Sequence, residues 1–277
     1  MRLIALLISL TLTGTTLADD PAESLGKARA AMKRGDYEGA LKAADAAVKA
    51  DAKSPVAFFL RAEAYSHLRK HEEAIKDYET ALMLDPREFD AAINQRGGVK
   101  FKMGDIKGSL EDFEKFIKLH PAAYDDHWRY GISLYYAGRF VEGAKQFKAG
   151  EKAFGNDVEN AFFHYICSAR ADGVEKARMN ILKIGPDSRI PMMKIYDLIQ
   201  GKAKAADVIE TAEKAKLNDE EKNEALFYGH LYAGLNYEAE GDKKKCIEHL
   251  TEAVEKHKIS HYMWDVGNVH LQMLKKK

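Results

Sequence analysis

Cysteine is almost missing from this chain, with only Cys167 and Cys246 among 277 residues. No disulfide framework therefore underlies its stability, and the CxxC spacing of redox and zinc sites does not occur. One bond between the two remains open, if the fold brings their Cα atoms to about 4.4–6.8 Å. An excess of charge is missing too: 43 basic residues face 43 acidic ones, and no basic run is longer than three residues, as in the tail Lys275, Lys276 and Lys277. That balance lacks the electrostatic footprint of a nucleic-acid binder, so no nucleic-acid partner is expected. After the first residues no segment is apolar for the roughly 20 residues that cross a bilayer, and no stable membrane span is expected. Phosphate loops of the GxxxxGK[ST] type, HExxH and GxSxG are absent as well, which removes the common signatures of nucleotide, zinc-hydrolase and serine-hydrolase chemistry.

Histidine gives two pairs at i, i+4, His67 with His71 and His257 with His261. Each straddles a turn or a helix end, and no third ligand stands nearby, so both read as ordinary turn histidines rather than metal ligands. Cys167 lies on an apolar helical stripe, and Cys246 stands where a small buried residue is wanted; both read as small hydrophobes. The chain is expected to be non-catalytic, with no cofactor and no metal.

The opening "MRLIALLISLTLTGTTLADD" combines Arg2, an apolar run from Leu3 to Leu12 and a small-residue exit at Thr16 and Ala18. This is the pattern of a cleaved secretory signal over residues 1–18. No cysteine follows for lipid attachment. The mature chain is expected to be periplasmic or secreted.

Turn glycines recur at Gly35, Gly104, Gly138, Gly173 and Gly241, at gaps of 69, 34, 35 and 68. Each gap is one or two units of about 34, and Arg69 in "LRKHEEA" falls in the vacant slot between the first two. A fixed period of this length marks a stack of helix pairs. The clearest unit, "AFFLRAEAYSHLRKHEEAIKDYETALMLDP" (57–86), resembles the tetratricopeptide repeat, with Phe58, Ala62, Tyr65, Ala74, Tyr78, Ala81 and Pro86 at its frame positions. Gly97, Ser109, Phe113 and Pro121 mark the next unit; Gly131, Leu134, Phe140, Gly143 and Phe147 mark the one after, and Ala28, Ala40, Ala44 and Ala47 an alanine-rich first unit.

The resemblance implies an all-α tetratricopeptide solenoid, a right-handed superhelix of antiparallel helix pairs with a carboxyl-terminal capping helix. The expected order is an array of four units over 19–155, degenerate helical units over 156–217 broken by "GPDSRIP", and a last repeat with the cap over 218–277. In the cap, Met263, Trp264, Val266, Val269, His270 and Met273 form the buried stripe. Repeats, a chain break, the short helix ending "DLIQGK", and a returning repeat "ALFYGHLYAGLNYEAEGD" together resemble the NlpI-like bacterial periplasmic tetratricopeptide proteins. That narrower likeness implies a partner such as an envelope protease, a peptidoglycan enzyme or an outer-membrane assembly factor.

In such arrays the first helix of each pair, helix A, lines the face that holds peptides or partner helices. Its outward positions are Val56, Phe59, Glu63, Ser66 and His67 in one unit, and Ala91, Asn94, Gly98, Phe101 and Lys102 in the next. The following unit offers Asp125, Trp128, Ile132, Tyr135 and Tyr136. Phe59, Phe101, Trp128, Ile132, Tyr135 and Tyr136 are therefore the expected contacts for a protein or peptide partner, since buried aromatic anchors dominate binding energy. The alternative is a structural homodimer that buries the same face. The lysine and asparagine of the carboxylate clamp found in co-chaperones have no counterpart at Leu25, Arg29, Phe59 and Glu63.

Overall fold

The computed structural model describes residues 20–276; the export signal expected at 1–18 lies outside them. Every regular element among the described residues is helical. They divide into two compact units, with the boundary between Asp85 and Pro86.

The first unit holds two helix pairs, α1 (Pro21–Lys33) with α2 (Tyr37–Ala50), and α3 (Pro55–His67) with α4 (His71–Leu84). Local sequence sets where they start. Asp20, Asp36 and Ser54 each accept a backbone N–H of the first turn, and Pro21 and Pro55 sit where a missing N–H costs nothing. Ala28, Ala40, Ala44, Ala57, Ala62, Ala74 and Ala81 are fully buried where the helices meet. Side chains this small let the helix axes approach closely.

The second unit continues with α5 (Ala91–Lys102), α6 (Ile106–Leu119), α7 (Trp128–Tyr136) and α8 (Phe140–Ala149). Then come α9 (Val158–Asp172), α10 (Val174–Met179), α11 (Met192–Ile199), α12 (Ala205–Lys214), α13 (Asp219–Ala239), α14 (Lys243–Thr251) and α15 (Tyr262–Lys275). Where α8 meets α7 and α9 the close approach needs glycine. A Cβ on Gly131 would stand 2.2 Å from Gln146 Oε1 and 2.6 Å from Phe147 Cζ, and one on Gly143 would stand 2.8 Å from Cys167 Sγ. Helix α9 is buried nearly all round, and its Phe162, Phe163 and Ile166 join Ile195 of α11 with Phe227, Leu231 and Tyr232 of α13 in one core. The break between α10 and α11 is tied down by Gly185 N–H donating to Gly155 O (2.7 Å) and by Asp187, which accepts from Val158 N and from Arg189.

The periodic turns have one backbone signature. Gly35, Gly104, Gly138, Gly173 and Gly241 all have φ between 73° and 93°, and Arg69 in the vacant slot takes φ 60°. Gly201, in the shrunken unit, adopts the same conformation at φ 74°. An L side chain in this region costs roughly 1–2 kcal/mol. Nothing lies within 4 Å of a Cβ built on Gly138, so Gly138→Ala is expected to lower stability by about 1 kcal/mol through the backbone alone. Arg69→Gly should shift it by less than about 1 kcal/mol in the opposite direction. Urea unfolding midpoints of the two variants check both signs.

Charge also repeats. Arg61 grips Asp77 in a two-pronged pair (2.6 and 2.9 Å) and reaches Asp45 at 3.0 Å; one repeat on, Arg96 grips Asp112 (2.9 and 2.6 Å), which Lys100 also meets at 2.8 Å. The aspartates are buried, and each pair ties helix A to the second helix of its own unit. One repeat further on, the equivalent position holds Gln146, buried against Gly131, whose Nε2 donates to Tyr124 O at 3.1 Å.

Both cysteines are free and buried, so the disulfide left open by the sequence is not formed. Burial drives the Cys167 thiol far up, and burial with Glu238 and Asp242 nearby pushes Cys246 up to about 12. Neither is poised as a thiolate nucleophile.

Candidate protein-binding face

Five of the six expected contact residues come together in the second unit, on α5 and α7. Phe59 lies on α3 of the first unit, edge-on to Tyr78 at 5.7 Å. The open groove expected at the other five is filled. Helix α15 packs on Phe101, Trp128 and Tyr136, while Tyr135 is held by Glu238 of α13; Phe101, Ile132 and Tyr135 are core residues at 0–4% exposure, and Trp128 and Tyr136 are only partly exposed.

The covering contacts are specific. Tyr262 stacks on Phe101 (5.6 Å between ring centres) and meets Trp128 edge-on at 5.2 Å. The Tyr136 hydroxyl lies 3.4 Å from Val266 O and 3.0 Å from His270 Nδ1, while its ring is edge-on to Phe101 at 5.3 Å. Met263, Val266, Val269 and His270 are buried as the amphipathic pattern of α15 requires, and Trp264 and Met273 are half-buried. The Trp264 indole donates to Val254 O at 3.1 Å.

Under the far end of α15 a polar cluster fixes the register. Glu238 accepts from the Tyr135 hydroxyl (2.6 Å), meets Arg170 at 3.1 Å and lies 3.4 Å from His270 Nε2. Burial pushes the Glu238 carboxyl up, but these partners outweigh it and hold it at about 2. Burial and the neighbouring Glu238 raise both Tyr135 and Tyr136 well above the ordinary phenol range, so both stay neutral donors. Removing Tyr135 would leave Glu238 and a core cavity behind, so that substitution reports on folding rather than on capture.

Two voids flank α15. One of about 180 Å³ is bounded by Trp128, Ile132, Phe147, Phe163, His261 and Met263. The other, of about 240 Å³, is bounded by Tyr135, Tyr136, Phe140, Arg170, His270 and Leu274. The expected turn histidines take structural parts: His67 stacks on Tyr37 at 4.1 Å, His257 Nδ1 lies 3.1 Å from Asn223 Oδ1, and His261 caps α15 by accepting from Met263 N. Among the described residues no group of three or more His, Cys, Asp or Glu side chains is placed to hold a metal ion.

Sequence reasoning missed Tyr262, Glu238 and Asp265. Tyr262 is the first residue of an amphipathic helix longer than a cap needs, and that was the available signal.

Stacked helix pairs with turn glycines one repeat apart define an α-helical repeat array. More narrowly, the chain is a tetratricopeptide repeat protein: residues 25–92 match the family model described as "Tetratricopeptide repeat". Over 146 residues it is 31% identical to the heat-shock protein cognate co-chaperone sgt12 of Aspergillus fumigatus, covering 53% of this chain and 40% of that one. It is 33% identical over 92 residues to small glutamine-rich tetratricopeptide repeat-containing protein 2 of Mycosarcoma maydis, covering 33% of this chain and 26% of that one. The match thus spans well under half the length of these relatives. Among solved structures, a tetratricopeptide repeat protein of Parabacteroides merdae superposes with a TM-score of 0.58 at 14% identity, over 92% of this chain and 98% of that one. MamA of Desulfovibrio magneticus RS-1 gives 0.53 at 17% identity, over 58% and 90%. At those identities the likeness concerns the fold.

Proposed function

We propose that this chain is an exported, non-catalytic adaptor that captures a protein partner on the helix A surface of its repeats. The observation that carries the reading is that the aromatic face of α5 and α7 already holds an amphipathic helix, through Phe101, Trp128 and Tyr136. Helix-in-groove recognition is therefore chemistry this face performs. Co-chaperones among the relatives fit a protein-binding role. The terminal-carboxylate clamp does not transfer: Glu63 accepts from the Tyr78 hydroxyl, and Phe59 packs on the same ring. The homodimer alternative drew on exposed rings, and these are covered within a single chain. The apolar amino-terminal run and the resemblance to periplasmic repeat proteins support export, with an envelope enzyme or assembly factor as partner.

The test is purification of the tagged full-length chain from the native envelope fraction after crosslinking in cells. One protein in near-stoichiometric yield, crosslinked to helix A residues, is the expected result. Recovery of the chain alone from every fraction would overturn the adaptor reading.

A further inference from the structure

The geometry points to α15 as a built-in ligand: we propose that it is a replaceable occupant of the α5–α7 face, and that the external ligand there is an amphipathic helix of the same pattern. Three observations separate α15 from the interior helices. It is not the second helix of a pair but is reached through the turn His257–His261 and laid across helix A surfaces of units far earlier in the chain. Half-open pockets of about 180 and 240 Å³ lie at its two ends. The Lys102–Asp265 ion pair across the same seam is 3.9 Å long, against 2.6 Å for Arg96–Asp112 within a repeat.

The face therefore selects a helix with an aromatic residue at i, apolar residues at i+1, i+4 and i+7, and a hydrogen-bonding group at i+8, the places of Tyr262, Met263, Val266, Val269 and His270. The aromatic enters between Phe101 and Trp128. The i+8 group meets the Tyr136 hydroxyl and Glu238. A helix carrying larger side chains at i+1 or beyond i+8 would also fill the pockets at the two ends of α15, and so would displace it. The existence of such a partner rests on the adaptor reading; the replaceability of α15 does not.

A protease site inserted between Lys258 and Ile259 of the full-length chain tests this. After cleavage, a labelled synthetic peptide of residues 259–277 should enter the protein saturably, at least tenfold better than in the uncleaved chain, and Val266→Asp in the peptide should abolish entry. In the intact chain, α15 amides should exchange with solvent at least tenfold faster than those of α9 and α13. Exclusion of the peptide from a cleaved protein that stays helical, unfolding on release of α15, or equal protection of the three helices would each overturn the proposal. Peptide entry with no partner in the envelope fraction would leave it standing while the adaptor reading falls.

Discussion

Asp112→Ala is expected to destabilise the second unit by about 3–5 kcal/mol, the cost of stranding a buried charge. The side chain accepts both prongs of Arg96 and lies 2.8 Å from Lys100, at 5% exposure. Its removal leaves two cations in a half-buried seam between α5 and α6. The same change at an exposed i, i+4 pair such as Lys107–Glu111, 3.9 Å apart, should cost well under 1 kcal/mol. Urea denaturation of Asp112→Ala and Glu111→Ala side by side checks the contrast. Equal midpoints would show that the repeated Arg–Asp pairs do not hold the helix pairs together.

Acid is expected to unfold the protein well above the carboxylate range. Burial, seconded by Arg129, lowers His127 to about 4, and burial with Lys148 lowers His164 to about 4. Burial together with His249 and His257 lowers His230 to about 4 as well. His127 is held neutral by its bonds, since Nδ1 accepts from Tyr130 N while Nε2 faces Asn94 Oδ1 at 2.9 Å. His230 and His249 face each other through Nδ1 atoms 3.1 Å apart, so one must accept and stay unprotonated there. The sign follows: the unfolded chain takes up these protons near pH 6.5, the folded one only near 4, so stability falls as pH drops through that window and the loss is complete below it. Each buried ring costs about 3 kcal/mol of stability at full protonation, and a few such losses rival the 5–15 kcal/mol of a typical domain. Helical circular dichroism followed from pH 7 to 3.5 should show loss between about 6 and 4. The His164 Nδ1 atom has no hydrogen-bond partner, so His164→Phe should move that midpoint downward. A signal constant to pH 4 would contradict the assignment.

Much of the fold was legible because two kinds of residue carry it alone. The turn glycines are read directly as positive φ, and even Arg69 in the vacant slot adopts it. The small positions Ala62, Gly131 and Gly143 are read as close helix approach. Charged partners were not legible, because Arg61 and Asp77 stand 16 residues apart and a charge on an amphipathic helix reads as solvated until its neighbour is known. The repeat frame placed Trp128, Ile132, Tyr135 and Tyr136 on the helix A surface but could not say what lies on that surface. Tyr136 and His270 meet across 134 residues of chain, a distance over which no local pattern speaks. The trio His230, His249 and His257 was hidden for the same reason.

In the proposed arrangement the α5–α7 face docks the partner and α15 is its resident helix. The most direct measurement is the yield of crosslinked partner from two full-length variants, each first shown to keep its helical content. Tyr262→Ala weakens the resident helix without altering the face and is predicted to raise capture several-fold, whereas Trp128→Ala damages the face and is predicted to lower it. Capture that is unchanged in both variants, or reduced equally by both, would contradict the claim.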